Sequence, residues 1–224
     1  MKTAFQLGVS SLIGLVVLGF ILFWPAGTFN YWQGWVFIAV FTIATIAPSL
    51  YLARTDPAAL RRRMHGGPLA EARTVQKFII VGAFGGLFAM MAFSAYDHRV
   101  GWSSVPAAVS VIGDVLIVVG LVGGVLVVVQ NSYAGASVRV EEGQTVASTG
   151  LYGLVRHPMY AANLVLMMGI PLALGSYWGL LLIIPAQVVL VLRILDEEKL
   201  LTQELGGYRE YKQRVRYRLV PYVW

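Results

Sequence analysis

The chain has 224 residues, 58% of them hydrophobic and 12% charged, with mean hydropathy +0.70 and a formal net charge of +6. A soluble domain carries roughly 25% charged residues, so about half of the usual solubilising surface is missing and a water-soluble class is excluded. The chain has no cysteine, which excludes a disulfide framework and a thiolate metal site. The three histidines (His65, His98, His157) are too scattered to suggest a metal cluster.

Residues Thr3 to Leu52 contain no charged side chain. A bilayer-spanning helix needs about 20 apolar residues, so this stretch holds two crossings, predicted over Ala4–Trp24 and Gly34–Leu52. The first is longer than the 7–15-residue core of a signal peptide and reads as a retained helix. Between them, Pro25 to Asn30 make a turn, and Tyr31 and Trp32 begin an interfacial aromatic belt.

The segment that follows carries Arg54, Arg61, Arg62, Arg63, Arg73 and Lys77 against Asp56 and Glu71, a cytoplasmic marker by the positive-inside rule. Basic residues placed between apolar runs also argue against nucleic acid, which calls for a soluble basic face with interleaved aromatics. A third helix is predicted over Phe78–Tyr96. The Asp97–Val105 connection, with one arginine and Trp102, suits the opposite face. A fourth helix spans Ala107–Val129, where Gly120, Gly123 and Gly124 allow close helix approach in lipid. Asp114 in this helix is either a functional intramembrane carboxylate or an interfacial one about two turns from the helix start; its depth favours the second.

Gln130 to His157 form a polar loop on the cytoplasmic side. From Pro158 to Leu192 the sequence is again apolar for about 35 residues, which as one straight helix would be about 50 Å long, beyond a hydrocarbon core near 30 Å. A hairpin turning near Gly175–Ser176 fits better, followed by a charged, aromatic tail, Arg193–Trp224. The prediction is an all-α integral membrane protein with both termini cytoplasmic, most simply in a cell inner membrane. It is one folding unit: four transmembrane helices in residues 1–129, then residues 130–224, whose cytoplasmic loop and tail close over the hairpin.

A hairpin brings its ends together, so two polar clusters must share one mouth. One is Thr149 to Tyr160, with Arg156, His157 and Pro158 at a helix start whose free N–H groups favour an anion. The other is Arg193 to Lys199. Arg193 and Glu197, four apart, share a helix face and would by themselves make a plain surface ion pair.

The run Gly150-Leu-Tyr152, Arg156-His-Pro-x-Tyr160, Glu197-Glu198, Leu205-Gly206, Tyr208-x-x-Tyr211 and Val215 to Pro221 resembles the isoprenylcysteine carboxyl methyltransferase and phospholipid methyltransferase superfamily, over about residues 130 to 224. The resemblance implies S-adenosylmethionine as cofactor and makes residues 130–224 the catalytic region, with the cytoplasmic loop and tail closing a cofactor pocket. It places cofactor contacts on Gln144, Thr145, Val146, Ala147, Tyr152, His157, Pro158, Met159, Tyr160 and Glu197. The stretch 144–147 matches by distance from Gly150 rather than by residue type. The substrate-orienting arginine falls on Arg193. Glu197 suits the ribose hydroxyls or amino group of the cofactor, while Arg156 and His157 suit its carboxylate or hold the loop.

The implied partners are a lipid-like or prenylated small molecule and the membrane lipids, with no nucleic acid. A carboxylate acceptor is favoured because it already carries its charge; an amine or thiol would need a base, for which Glu197, Glu198 and His157 are the candidates. A phospholipid amine, a free isoprenoid acid and a hydrophobic thiol also remain open. The ending Arg216 to Tyr222 resembles NADPH-dependent sterol reductases as well. A non-catalytic multi-pass protein is the third reading, although it would want polar residues at mid-membrane on several helices.

Overall fold

The computed structural model describes residues 2–64, 67, 69–71, 73–135 and 137–224. His65, and parts of the basic segment between Arg54 and Lys77, lie outside the described residues. The chain is helical throughout its regular structure, in the order α1 (Lys2–Ala26), α2 (Trp32–Thr55), α3 (Pro57–Met64), α4 (Thr74–Val100), α5 (Ala107–Gln130), α6 (Leu151–Leu154), α7 (Pro158–Ala173), a 3-10 turn (Trp178–Leu182), α8 (Ile183–Glu204) and α9 (Tyr208–Arg214). Among the described residues, four helices are long and apolar enough to cross a membrane: α2, α4, α5 and the continuous Trp178–Glu204 segment. The apolar part of α1, Leu12–Ala26, and α7 are shorter. Large apolar side chains such as Ile43, Phe78 and Ile184 lie exposed on these helices, which is stable only where the surrounding solvent is hydrocarbon.

Both ends of α4 extend beyond the predicted Phe78–Tyr96. Asp97, expected in a connection, sits in the last helical turn and is fully buried. Its Oδ1 accepts the Ser103 N–H at 2.9 Å, and its Oδ2 accepts the hydroxyls of Ser103 at 2.6 Å and Ser176 at 2.5 Å. The charge is therefore spent on fastening the hairpin turn to the end of α4. The turn falls at Gly175, in the left-handed region at φ 74°, and the Tyr31 hydroxyl donates to the adjacent Leu174 carbonyl at 2.6 Å. The second hairpin arm is longer than a short-helix hairpin would give, because the 3-10 turn leads into α8 and α8 runs unbroken to Glu204.

The closest helix pair is α5 with α7. A Cβ on Gly120 would lie 2.8 Å from the Leu166 backbone N and the Ala162 carbonyl, and one on Gly123 3.2 Å from the Ala162 Cβ. Gly113 and Gly169, which the sequence pattern did not single out, complete the seam: a Cβ on Gly169 would sit 2.7 Å from the Gly113 carbonyl. Small residues substitute here for the hydrophobic drive that lipid removes. Around this seam a core of Leu22, Phe37, Met90, Ile117, Ile170 and Leu174 joins α1, α2, α4, α5 and α7.

Asp114 is buried on α5, with Oδ1 lacking a hydrogen-bond partner among the described residues.

Helix α3 lies in what reads as a plain basic loop. Its signal is local: Asp56 Oδ1 caps the Ala59 N–H at 2.9 Å, and Pro57 takes the first helical position.

Candidate active site

The hairpin does bring the two polar clusters together, and the tail locks them. The backbone N–H groups of Arg156 and His157 donate to the carbonyls of Tyr217 and Arg218, each at 2.9 Å. Pro158 then opens α7, where its missing N–H costs nothing. Glu198, buried on α8, gathers the surrounding cations. Its Oε1 lies 2.8 Å from Arg156 Nε and 3.3 Å from His157 Nε2, and its Oε2 lies 3.1 Å from Arg218 Nε and 3.8 Å from Lys212 Nζ. The Arg156 contact is an ion pair without hydrogen-bond alignment at Nε, while Nη1 donates to the carbonyls of Lys212 and Val215. Arg156 therefore holds loop and tail together.

Arg193 points its bonds elsewhere than its spacing suggested. Nη2 meets Glu71 Oε1 at 2.9 Å and Nη1 donates to Gln76 Oε1 at 2.8 Å, so the partners come from the first turn of α4 and the segment just before it. Nε donates to the Tyr160 hydroxyl at 3.0 Å, and that hydroxyl donates onward to Glu197 Oε2 at 2.5 Å. Glu71 is itself buried; its Oε2 accepts the Val138 N–H at 2.9 Å. Gln76, fully buried, passes its amide N–H to Asp196 Oδ2 at 2.6 Å, beside the Arg73–Asp196 ion pair at 2.8 Å. A buried guanidinium and carboxylate persist only when paired and hydrogen-bonded, and these partners supply that.

Among its described residues, the loop from Asn131 to Gly150 has no regular structure and is held by side chains. Arg62 of α3 bonds Glu141 Oε2 at 2.8 Å and the Ser132 carbonyl at 3.3 Å, and lies over the Tyr133 ring. The Arg62 hydrogen bond, with help from Arg139, holds the Glu141 carboxyl below the usual carboxylate range. Gln144 turns its side-chain carbonyl back to the Glu141 N–H at 2.9 Å. Gly150 is required where the loop enters α6, since its φ is 58° and a Cβ would lie 2.6 Å from Gln130 Oε1.

Beyond it the Tyr152 hydroxyl accepts from Asn131 Nδ2 at 3.2 Å, and the Tyr152 carbonyl accepts the Tyr211 hydroxyl at 2.7 Å. Burial pushes the Tyr152 phenol up to about 12, against the lowering effect of the Asn131 bond. Burial likewise raises Tyr208 and Tyr211, so all three phenols stay neutral donors at neutral pH.

These elements enclose a cavity of about 630 Å³. Gln144, Thr145, Val146, Ala147, Tyr152, His157, Pro158, Met159, Tyr160, Arg193 and Glu197 all line it. Its opposite limb is apolar, walled by Ile79, Ala83, Phe84 and Leu87 of α4, Leu166 and Met167 of α7, and Val189 and Leu190 of α8. Sequence reasoning missed Glu71 and Gln76, whose role depends on long-range contact, and Arg63, which lines the wall from α3. It also missed Tyr208 as a wall residue; its buried hydroxyl has no hydrogen-bond partner among the described residues.

The fold and cavity define a helical membrane protein with a polar pocket at one end of its bundle that continues into an apolar limb. The family model described as phospholipid methyltransferase matches residues 109–208, a stretch that covers most of α5, the polar loop, the hairpin and the start of α9. A Delta(14)-sterol reductase from Mus musculus is 31% identical over 85 residues, 37% of this chain, and the chain spans only 20% of that relative's length.

Proposed function

We propose that this protein is an integral membrane methyltransferase that moves the methyl group of S-adenosylmethionine to a lipophilic acceptor, an isoprenylcysteine-like carboxylate by preference. The observation that carries the reading is one cavity that joins the matched motif residues to an apolar limb inside the helix bundle. Its volume of about 630 Å³ falls within the roughly 300–1,000 Å³ of small-molecule sites, and its donor set fits the cofactor. Glu197, with one oxygen outside its Tyr160 bond, would take ribose hydroxyls or an amino group. Tyr152 offers a neutral phenol, and residues 144–147 with His157 to Tyr160 would form the walls of the cofactor site.

When bound, S-adenosylmethionine supplies a methyl group on a positively charged sulfur. The chain's own residues orient and enclose. Arg193, fixed by Glu71, Gln76 and Tyr160, would align an anionic acceptor oxygen. The α4, α7 and α8 side chains would hold the acceptor's apolar tail and keep water out. A carboxylate acceptor needs no general base, so alignment and exclusion of water supply most of the rate. The basic residues of α3 support a cytoplasmic mouth, with both termini on that side of an inner membrane.

The sterol reductase match favours a second reading, an NADPH-dependent membrane reductase. Calorimetric titration of the detergent-purified protein with each cofactor separates the two. Binding of S-adenosylmethionine without NADPH binding is expected; the reverse overturns the proposal. Incubation of membrane extracts with labelled cofactor, followed by mass spectrometry, identifies the acceptor.

A further inference from the structure

Four arginines line the cavity, and three are already paired with a carboxylate of the chain: Arg139 with Glu141 at 2.8 Å, Arg156 with Glu198 at 2.8 Å, and Arg193 with Glu71 at 2.9 Å, although Glu141 also serves Arg62 and Glu198 also serves Arg218 and Lys212. Arg63 differs. Among the described residues its polar contact is the Met159 sulfur, 3.7 Å from Nη1, and no carboxylate pairs with it. Neutral thioether sulfur is a weak acceptor, so the guanidinium charge remains uncompensated. Arg63 lines the cavity and keeps an exposed surface, and the protein packed around it lowers its pKa by desolvation. Met159, its contact, belongs to the first turn of α7 and lines the same cavity.

We infer that Arg63 holds an anionic group of the bound ligand, a carboxylate in the first instance, at the α3 side of the cavity. This rests on the proposed function, within which two molecules bring such a group: the methionine portion of the cofactor, and an anionic acceptor. A guanidinium matches a carboxylate in a two-pronged geometry that a lysine ammonium does not reproduce, and the Arg193 guanidinium is already paired with Glu71. The residue lies outside the region matched by the family model and carries no motif, so only its placement over Met159 reveals it.

The test is calorimetry on wild type, Arg63→Gln and Arg63→Lys in detergent, after thermal melts establish that each is folded. The cofactor probes are S-adenosylmethionine and its decarboxylated analogue; the acceptor probes are N-acetyl-S-farnesylcysteine and its methyl ester. Loss of one charge-assisted hydrogen bond predicts a fall of about tenfold or more for the carboxylate-bearing partner. Cofactor capture appears as weaker binding of S-adenosylmethionine by Arg63→Gln with the decarboxylated analogue unchanged. Acceptor capture appears as weaker binding of the farnesylcysteine acid with its ester unchanged. In either case Arg63→Lys recovers part of the loss. Equal losses for charged and uncharged probes, or affinities all within about twofold of wild type, overturn the inference while the proposed function stands. A wild type that binds no S-adenosylmethionine overturns the proposed function instead, and this inference with it.

Discussion

Arg193 and Glu197 stand one turn apart on α8 and meet through a third residue: Arg193 Nε donates to the Tyr160 hydroxyl at 3.0 Å, and that hydroxyl donates to Glu197 Oε2 at 2.5 Å. Tyr160 belongs to the other hairpin arm, so the bond also sets how α7 and α8 face each other across the cavity. If Arg193 orients the acceptor, Arg193→Ala lowers kcat/KM by about 10²-fold or more with cofactor affinity nearly constant, since misplacing a reacting group by about 1 Å costs that much. Arg193→Lys rescues poorly because it lacks the planar fork. Tyr160→Phe gives a smaller loss of the same kind. Steady-state methylation beside calorimetry measures all three, and near-normal turnover in Arg193→Ala would return the residue to a structural role.

Glu71 is the buried carboxylate that balances Arg193, and its second oxygen ties down Val138 of the loop. Removing one partner of a buried ion pair costs about 3–5 kcal/mol, whereas replacing both by apolar residues is often neutral. Glu71→Gln is therefore expected to lower the melting temperature and turnover together. The double variant Glu71→Leu with Arg193→Met recovers stability but not turnover. A double variant no more stable than Glu71→Gln would show that the pair does not act as a unit.

Glu141 links α3 to the loop through Arg62, and this bond holds its carboxyl below the usual range. A lowered folded pKa gives stabilisation that is complete above the unfolded value and vanishes as pH falls through the folded one. Protection of residues 131–150 from hydrogen exchange, corrected for intrinsic rates, should hold from pH 7 down to about 5 and fall below about 4. Arg62→Gln should lower that protection at neutral pH and shrink its fall on acidification, because the Glu141 carboxyl then sits nearer its ordinary value. High salt should weaken the same protection at neutral pH, because both partners are partly exposed. A fall of undiminished size in Arg62→Gln would assign the acid response to another carboxylate.

The α5–α7 seam makes a contrast between glycines. Gly120→Ala puts a methyl group 2.8 Å from the α7 backbone, which has no flexible side chain to yield, and should cost about 1–3 kcal/mol by overpacking. Gly86, on α4, has open space around its Cβ position. Gly86→Ala should be neutral or stabilising by up to about 1 kcal/mol through helix propensity. Thermal melts in one detergent compare them, and equal effects would contradict the seam.

Hydropathy and charge placement by themselves determined that this is a helical membrane protein. They also placed the helices and the hairpin bend at Gly175, while α4 runs about a turn further at each end and the second hairpin arm continues to Glu204. Those features follow from the length of apolar sequence that hydrocarbon demands, which is a local property. The hairpin reading juxtaposed the cluster from Arg156 to Tyr160 with the one that begins at Arg193, and the family resemblance added Gln144 to Ala147 and Tyr152; residues of all of these line the cavity. Tertiary structure alone decided what the charges do. Arg193 pairs with Glu71, which is 122 residues away, because α4 packs against α8 and the interior leaves no water to solvate either group. Asp97 became a fastening for Ser103 and Ser176, and Arg63 reached the cavity through a helix whose sequence looks like an ordinary basic loop. Partner choice among buried charges depends on which side chains the helix packing brings within about 3 Å, and periodicity carries no record of that.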